Sequence, residues 1–343
     1  MSVGNSLHPL RYSFVTIGFE GDAGLLHLQA RSMRLYCPPE LIEEIIIVDN
    51  SSPGSRRKWQ GELLYQYGDL ASFVRIIPAA NIAAMSTDTD GWLTQQVLKI
   101  EIASIVRSER YVVLDAKNHL TARLGREFLE TLIGQPRMSG ISYAGHPMQE
   151  FLERTLVYLD LDPKAHIGWF TRTDTPFAML TNEVRELVRH LEQREGRPFA
   201  SVFLDGILSE FFLYSGFLMS KGSLWQIYNR TQEREPQVWP DNADEKGCAA
   251  AIQKATQTGC PFMTVHRRAL ARMEEKGQRL MAEFWHARGL FASTKDGIRF
   301  LRDPNRIHQN YGGRVVSWPI SMIVSHFSSP AETDSPNSAE LAP

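Results

Sequence analysis

Three clusters of polar residues, each directly after a short apolar run, have side chains that can do chemistry. They are Asp115–His119, Asp49–Gly54 and His266–Arg268. Carboxylates can hold a metal ion or accept a proton, whereas Lys, His and Arg neutralise phosphate oxygens, with Arg offering a planar fork. This mixture of side chains suits a small ligand that carries phosphate groups.

The apolar runs that precede these clusters predict the strands that position them. Five runs are rich in apolar residues: Tyr12–Phe19, Ile45–Val48, Phe73–Ile77, Arg110–Leu114 and Pro261–Val265. Short, fully apolar runs are typical of parallel strands covered on both faces. Open α/β sheets bind ligands just beyond the carboxyl ends of their strands. The polar clusters therefore follow strands at places where a ligand is expected.

Two of the clusters also have interpretations that need no ligand. Asp49 could accept hydrogen bonds from ribose hydroxyls, but the sequence Asp-Asn-Ser-Ser-Pro-Gly would also form an Asx-turn by itself. His266–Arg268 begins a predicted helix and could simply face water. Two arginines at a helix N-terminus are unfavourable without an anion, which argues mildly for a bound one.

A predicted helix before the Asp115 strand presents a polar stripe. Trp92, Gln95, Gln96 and Lys99 are spaced i, i+3, i+4 and i+7, which places them on one face. A stacking ring, amide groups and one positive charge suit the wall of a binding pocket. The alternative is a solvated face with a partly buried tryptophan, and the spacing alone does not decide between the two.

Further helices are predicted from apolar periodicity and capping signals. Their ranges are Ala23–Leu35 with Asp22 as N-cap, Arg123–Ile133, Thr181–Arg194, and Ala269–Arg288. Glu210 stands alone in the aromatic segment Leu208–Leu218. A carboxylate among aromatic rings is costly to bury unless it is paired or functional, so we favour a function over an outward-facing position.

Composition and charge narrow the class of protein. The chain has 343 residues, 43% hydrophobic and 22% charged, with a net charge of -2 and three cysteines. The chain lacks the excess of basic residues that is typical of nucleic-acid-binding proteins. It also has no apolar run of transmembrane length. Sparse cysteines and an N-terminus unlike a signal peptide predict a cytoplasmic protein, and contact with a membrane face is left open. GxGxxG and GxxxxGK[ST] motifs are absent, which argues against dehydrogenases and P-loop enzymes.

Several segments together resemble bacterial glycosyltransferase-like proteins of GT-A fold from polysaccharide-synthesis genes, many of which are known only as a domain of unknown function. These segments are YSFVTIGFEGD, EIIIVDNSS, GWLTQQVLKI, YVVLDAKNHL, TPFAML, SEFFLY and FMTVHRRA. The resemblance extends over roughly Tyr12 to Ser293. Their order and spacing, rather than any single motif, carry it.

The resemblance implies an α/β fold, GT-A-like and Rossmann-like, with a mostly parallel central sheet flanked by helices. A single domain over residues 12–327 is expected, with a nucleotide-sugar-binding half at 12–135 and an acceptor-binding half at 136–327. Residues 1–11 would be an N-terminal extension, and the Ser- and Pro-rich residues 328–343 a disordered tail.

The resemblance also implies roles for individual residues. The donor would contact a set drawn from four segments: Asp49, Trp92, Gln95, Gln96, Lys99, Asn118, His266 and Arg267. Asp115, Lys117 and Glu210 would be catalytic, with Glu210 the first choice for the base that accepts the proton of the acceptor hydroxyl. Asp174 and Asp205 come next as base candidates, and with Tyr214 they are the candidate acceptor-binding residues.

One departure from the family pattern concerns the metal. Enzymes of this kind usually carry Asp-X-Asp, but Asp115-Ala116-Lys117 has a lysine as its third residue. A lysine removes a ligand and repels a cation, so Mn²⁺ or Mg²⁺ would have Asp115 alone. The hypothesis is therefore transfer without metal, or with weak use of a metal through Asp115 alone. Lys117, with His266 and Arg267, would neutralise the diphosphate leaving group.

The sequence thus predicts a glycosyltransferase that moves a sugar from a nucleotide-sugar donor to a saccharide or other hydroxyl acceptor. Inversion and retention of stereochemistry are both open. Two alternatives remain: a non-catalytic nucleotide-binding or scaffold protein on the same fold, and other sugar-nucleotide phosphate chemistry by a hydrolase or nucleotidyltransferase.

Overall fold

A five-stranded sheet forms the centre of the protein. The structure is a computed structural model that describes residues 10–51, 56–85, 89–232 and 235–302. The strands of the central sheet are β1 (Tyr12–Gly18), β2 (Ile42–Asp49), β3 (Val74–Pro78), β4 (Arg110–Asp115) and β8 (Phe177–Leu180). Their order is β3-β2-β1-β4-β8, with the first four parallel and β8 antiparallel to β4.

Two three-stranded sheets lie outside the central one. Their strands are β5 (Asn118–Leu120), β6 (Arg137–Ile141), β7 (Phe170–Thr171), β9 (Asn229–Thr231), β10 (Gln237–Val238) and β11 (Phe262–Val265). One sheet has the order β10-β11-β5 and the other β7-β6-β9. In the first, β5 pairs antiparallel with β11, so the segment after Asp115 is joined to a strand from late in the chain.

Helices cover both faces of the central sheet. The longer ones are α1 (Ala23–Tyr36), α2 (Arg56–Tyr67), α3 (Gly91–Glu101), α5 (Gln149–Tyr158), α6 (Thr181–Glu195), α8 (Glu210–Ser220), α10 (Glu245–Thr258), α12 (Glu275–Ala287) and α13 (Thr294–Arg302). The shorter ones are α4 (Arg126–Leu129), α7 (Phe199–Asp205), α9 (Leu224–Ile227) and α11 (Arg267–Arg272). On one face α1 and α2 share a core with α10 and α12; α3 and α6–α9 pack on the other.

The apolar character of the strands follows from this double cover. Every residue of β1 is buried, because helices lie over both faces of a central strand. The predicted α/β fold, with a mostly parallel central sheet flanked by helices, is confirmed. The helices predicted from Ala23 and Thr181 begin at those residues, and Gly196 follows the second of them in the left-handed conformation.

Two predicted helices were wrong in extent. Instead of a helix over 123–133, only α4 forms, and the chain then turns back so that Glu130 pairs with Pro136. Apolar periodicity suggested a longer helix, but Leu132 and Ile133 have no core to face. The helix predicted over 269–288 is divided at Met273 and Glu274 into α11 and α12.

Some expectations fall partly outside the described residues. The predicted tail at 328–343 and residues 1–9 of the predicted extension lie there. Within the described ranges, no single helix is long and apolar enough to cross a membrane. Helices α7 and α8 pass that length and composition test only as a pair, bent by 104° at their break.

Candidate active site

The carboxyl ends of the parallel strands bring two predicted site residues to one edge of the sheet. In the β1–β2 ladder Gly18 lies opposite Asp49, and in the β1–β4 ladder Ile17 lies opposite Asp115. Asp49 and Asp115 therefore flank the end of β1 on either side. This is the edge at which open α/β sheets bind ligands.

Asp115 lies between two lysines. Lys99 Nζ is 3.0 Å from its Oδ1, and Lys117 Nζ is 2.6 Å from its Oδ2. The Thr175 hydroxyl also donates to Oδ2, at 3.0 Å. Burial would raise the pKa of Asp115, but the two ammonium groups outweigh burial and hold that pKa well below its usual range. Asp115 is therefore a carboxylate at neutral pH, with both oxygens occupied.

Lys99 connects Asp115 to Glu210. Its Nζ lies 3.1 Å from Glu210 Oε1, and its side chain is only 8% exposed. Burial opposes the charge on Lys99, but the Asp115 and Glu210 carboxylates outweigh it and hold the pKa of Lys99 above its ordinary value. The structure thus brings together three residues predicted from separate segments. Lys99 comes from α3, Asp115 from the end of β4 and Glu210 from the start of α8.

The polar stripe on α3 faces the protein interior. Gln96 is 1% exposed, and its Oε1 accepts a hydrogen bond from the Glu210 amide at 3.3 Å. Its Nε2 is buried and has no hydrogen-bond partner among the described residues. At the start of the stripe, the Trp92 ring packs edge-on against Phe151 at 5.7 Å, and Gln95 is partly buried. The solvated-face interpretation of this stripe does not fit this burial.

A hydrogen-bonded turn holds the Asp115 loop in place. Asn118 Oδ1 accepts from the Asp115 amide at 2.7 Å, and Asn118 Nδ2 donates to Thr175 O and to Thr264 Oγ1. Gln29 on α1 donates from its Nε2 to the carbonyls of Asp115 and Asn118. Asn118 is fully buried. Asn118 therefore holds the loop through its own hydrogen bonds, and its contact with a donor stays a prediction.

His266 lies beside Lys117 because β11 runs next to the Asp115 loop. The Val265 amide donates to the Lys117 carbonyl at 3.0 Å. The His266 ring stacks on Trp239 at 4.9 Å, and Lys117 Nζ lies 5.3 Å from the centroid of the same indole. Burial, followed by the nearby Lys117, Arg268 and Arg267 charges, lowers the pKa of His266 to about 3. His266 is therefore neutral here and can contribute a hydrogen bond but no positive charge at neutral pH.

Arg267 extends the cluster of charges toward α1. Its Nη1 is 3.0 Å from Asp22 Oδ1, and its guanidinium lies 5.3 Å from the Phe19 ring centroid. Burial raises the pKa of Asp22 to about 6, although Arg267 acts in the opposite direction. Asp22 was predicted as the N-cap of α1, and its side chain makes no capping hydrogen bond. The ion pair with Arg267 takes its carboxylate instead.

The site does not have the ligands that a divalent cation prefers. Mg²⁺ and Mn²⁺ bind through carboxylate and other oxygens. Both oxygens of Asp115 contact ammonium groups, one of them from Lys117 two residues later in the chain. Among the described residues, no group of three or more His, Cys, Asp or Glu side chains could hold a metal ion. The residues present therefore do not fit a resident metal.

Asp49 is held in a turn at the end of β2. Its Oδ1 accepts from the Ser51 amide at 2.9 Å and its Oδ2 from Gln60 Nε2 at 2.8 Å. The side chain is 1% exposed. This is the Asx-turn that the sequence allowed. The donor role of Asp49 stays a prediction and would require these two contacts to be exchanged for ribose hydroxyls.

The three candidate acceptor residues lie in three different places. Asp174 pairs with Arg172 at 2.9 Å and lines a cavity with Ser139 and Glu235. Asp205 is exposed on α7 and pairs with Arg197. Tyr214 accepts from the Leu180 amide, and Leu180 pairs with Arg110 at the opposite end of β4 from Asp115. Of the three, Asp174 immediately precedes Thr175, whose hydroxyl donates to Asp115.

Three residues of the cluster were not in the predicted set. Asp22, Thr175 and Trp239 contact Arg267, Asp115 and His266, respectively. Asp22 comes shortly after the first strand, so its position resembled those of the other clusters. Thr175 precedes β8 and Trp239 follows the two-residue β10, and neither of these strands was predicted.

Comparisons with known proteins give one family and several distant structural relatives. The sequence model of a family of unknown function (DUF6492) matches residues 19–249. No curated protein matches the chain.

Three of the solved structures that match are glycosyltransferases, each 12% identical to this chain. The bifunctional glycosyltransferase WbbM has a TM-score of 0.41, with 76% of this chain and 46% of WbbM covered. The galactosyltransferase LgtC, bound to donor and acceptor sugar analogues, has 0.44, with 80% and 99% covered. GlyE of Streptococcus pneumoniae has 0.38, with 85% and 63% covered. The chain thus spans less than half of WbbM and less than two thirds of GlyE.

Proposed function

We propose that this chain, which belongs to the family of unknown function DUF6492, is a glycosyltransferase that uses a nucleotide-sugar donor and no divalent metal. The observation that supports this most is the row Lys117–Asp115–Lys99–Glu210 at the carboxyl edge of the parallel sheet. The resemblance of the sequence to GT-A-type glycosyltransferase-like proteins agrees with it.

Lys117 and Arg267 supply the positive charge that the leaving group requires. In the proposed step the bond between the anomeric carbon and a phosphate oxygen breaks, and the diphosphate keeps the electron pair. Groups fixed where this charge develops stabilise the transition state more than they stabilise the substrate. Lys117 and Arg267 are each paired with one carboxylate, Asp115 and Asp22, so both are held in place before the donor arrives.

Glu210 is the proposed base for the acceptor hydroxyl. Glu210 is 6% exposed, and its carboxylate shares the ion-pair partner Lys99 with Asp115. In the proposed step it takes the hydroxyl proton while the acceptor oxygen bonds to the anomeric carbon. Gln96 has a buried amide donor without a partner among the described residues, and this donor is available to a ligand oxygen beside Glu210.

Nucleotide binding with and without metal tests this proposal. Calorimetry with UDP, GDP, CMP and TDP and their sugars is run with manganese and then with EDTA. We expect one nucleotide series to bind equally well in EDTA, because Lys117 and Arg267 replace the cation. A donor that binds in EDTA also identifies the nucleobase of the donors to use in a screen for acceptors.

The control compares two lysines, each paired with carboxylates. Lys117→Met removes the charge next to Asp115, whereas Lys221→Met removes a surface lysine that pairs with Glu183 and Glu186. We expect the first variant to weaken diphosphate binding about tenfold or more and the second to leave it unchanged. Binding only with manganese would contradict the proposed metal independence but would remain consistent with a glycosyltransferase.

Other outcomes separate the alternative functions. Consumption of the donor without an acceptor would indicate a hydrolase. Binding without any turnover would indicate a nucleotide-binding scaffold, and no binding in either condition would mean that the charged row is structural. The mutual pairing of Lys99, Asp115 and Glu210 is compatible with that last result, because paired buried charges also occur without a ligand.

A further inference from the structure

Two adjacent aliphatic side chains project into solvent from the loop between α4 and β6. Leu132 is 105% exposed and Ile133 is 82% exposed. They are the most exposed large aliphatic side chains in the part of the chain that the structure describes. Single exposed apolar residues are common on protein surfaces, but a fully exposed adjacent pair calls for an explanation.

The loop that carries this pair is closed and tied to the rest of the protein. The Thr131 amide donates to Gln135 O at 2.8 Å, and the Gly134 amide donates back to Thr131 O at 2.9 Å. Gly134 has φ +79°, which favours glycine over other residues. Gln135 Nε2 donates to the carbonyl of Gln226 on α9, and the Asn229 amide donates to Pro136 O. The pair is therefore presented by a fixed turn.

An aromatic and cationic cluster lies on the elements to which the loop is tied. Arg230 of β9 has its guanidinium 4.1 Å from the Trp225 ring centroid and 4.5 Å from that of Trp169. The two indoles lie 5.2 Å apart. Trp169 covers Gly140 of β6, where a Cβ would come within 2.2 Å of the ring, so only glycine allows this packing. Trp225 and Arg230 are sequence neighbours of the two residues that anchor the loop.

We propose that Leu132 and Ile133 insert into the surface of a lipid bilayer, with Trp169, Trp225 and Arg230 at the headgroup level. Side chains on a convex turn insert into a disordered apolar phase more readily than they fill a protein pocket, which would need a larger apolar area around them. Tryptophan favours the interface between water and lipid, and an arginine cation attracts lipid phosphates. The charge at this surface thus complements a bilayer that contains anionic lipid.

Binding to vesicles tests this proposal and does not depend on the proposed glycosyl transfer. The full chain is sedimented with vesicles of phosphatidylcholine and phosphatidylglycerol, in the absence of donor and acceptor. We expect the wild-type protein to bind, and Leu132→Ser/Ile133→Ser to reduce the partition coefficient about tenfold or more. Both side chains are exposed, so the midpoint of thermal unfolding should stay unchanged.

The matched control removes two exposed aliphatic residues elsewhere. Leu35→Ser/Val157→Ser changes side chains that are 48% and 62% exposed on α1 and α5. We expect this variant to bind vesicles like the wild-type protein. Equal loss in both double variants, or no binding by the wild-type protein, would overturn the proposal. A wild-type dimer that Leu132→Ser/Ile133→Ser converts to a monomer, without vesicle binding, would overturn it in favour of contact with a second copy.

Discussion

Two lysines make the contacts with Asp115 that a metal ion would otherwise make. The two carboxylate oxygens of Asp115 each receive an ammonium group, from Lys99 on one side and Lys117 on the other. Two lysines and the two carboxylates of Asp115 and Glu210 make this row neutral as a whole. Its cationic end is Lys117, which lies toward His266 and Arg267, where the phosphates of a donor would be expected.

Replacing Glu210 by Gln tests its role as the base. We expect Glu210→Gln to lower turnover by about 100-fold or more, because an amide cannot accept the proton, while donor binding stays the same. Lys99 keeps its partner Asp115, so the fold should be retained. Glu183→Gln, which affects a surface partner of Lys221, is the control and should have wild-type turnover. Wild-type turnover in Glu210→Gln would exclude this residue as the base.

Asp22 should make the stability of the protein depend on pH. Burial raises its pKa to about 6 in the folded protein, whereas an unfolded aspartate titrates near pH ~3.9. The folded protein therefore holds a proton between these values that the unfolded chain has lost. This stabilisation is complete below about pH 4 and is lost as the pH rises through about 6.

Asp22→Asn removes this dependence. We expect the free energy of unfolding of the wild-type protein, relative to Asp22→Asn, to fall by roughly 3 kcal/mol between about pH 4 and pH 7. Urea denaturation of both proteins across this range measures the difference, and effects from all other groups cancel. Parallel curves would mean that Arg267 keeps Asp22 ionised throughout.

The sequence predicted which residues belong to the site better than it predicted which of them contact each other. Lys99 was singled out from a polar helix stripe, Asp115 from a strand end and Glu210 as a carboxylate in an aromatic segment. The structure brings the three together. The partner of each charge could not be read from spacing. Arg267 lies 245 positions from Asp22, and no local pattern encodes such a pair.

Secondary-structure elements were predictable where their apolar pattern was long. Helix α6 has a buried stripe and a glycine directly after its end, so its bounds followed from the sequence. Helix α4 has four residues, and the apolar Leu132 and Ile133 beyond it suggested a longer helix. An apolar pair is a misleading helix signal when the residues face solvent and not a core.

Two glycines should respond to alanine with opposite signs. Gly196 ends α6 with φ +66°, a conformation that costs alanine about 1 kcal/mol, so Gly196→Ala should destabilise the protein by that amount. Gly61 lies inside α2 with open space at its Cβ position, so Gly61→Ala should stabilise by up to about 1 kcal/mol. Chemical denaturation measures both, and the same sign for both would contradict this reasoning.

Over the whole molecule, the core on one face of the sheet joins early and late parts of the chain. Phe14 and Leu28 share this core with Phe262, Met281 and Trp285. Residues after 237 therefore pack against the half that was predicted to bind the donor. The sequence suggested two consecutive halves, because nothing in a local pattern shows a late segment returning to the first helices.

A fragment of residues 12–135 should therefore not fold by itself. It would lack the late side chains that fill the core beside α1 and would expose that apolar surface. We expect no cooperative unfolding transition of this fragment by circular dichroism, whereas the full chain should unfold cooperatively. A cooperative transition in the short fragment would show that the donor half is an independent domain.

The pairing of β5 with β11 also fixes when the site can form during synthesis. Asp115 and Lys117 leave the ribosome long before β11, His266 and Arg267, because some 145 residues separate the paired strands. Until then β5 has an open edge and Asp22 has no arginine partner. A nascent chain that stalls before Phe262 would thus have its carboxylates and two lysines but no completed phosphate site, so prematurely terminated products should be inactive and should not compete for donor.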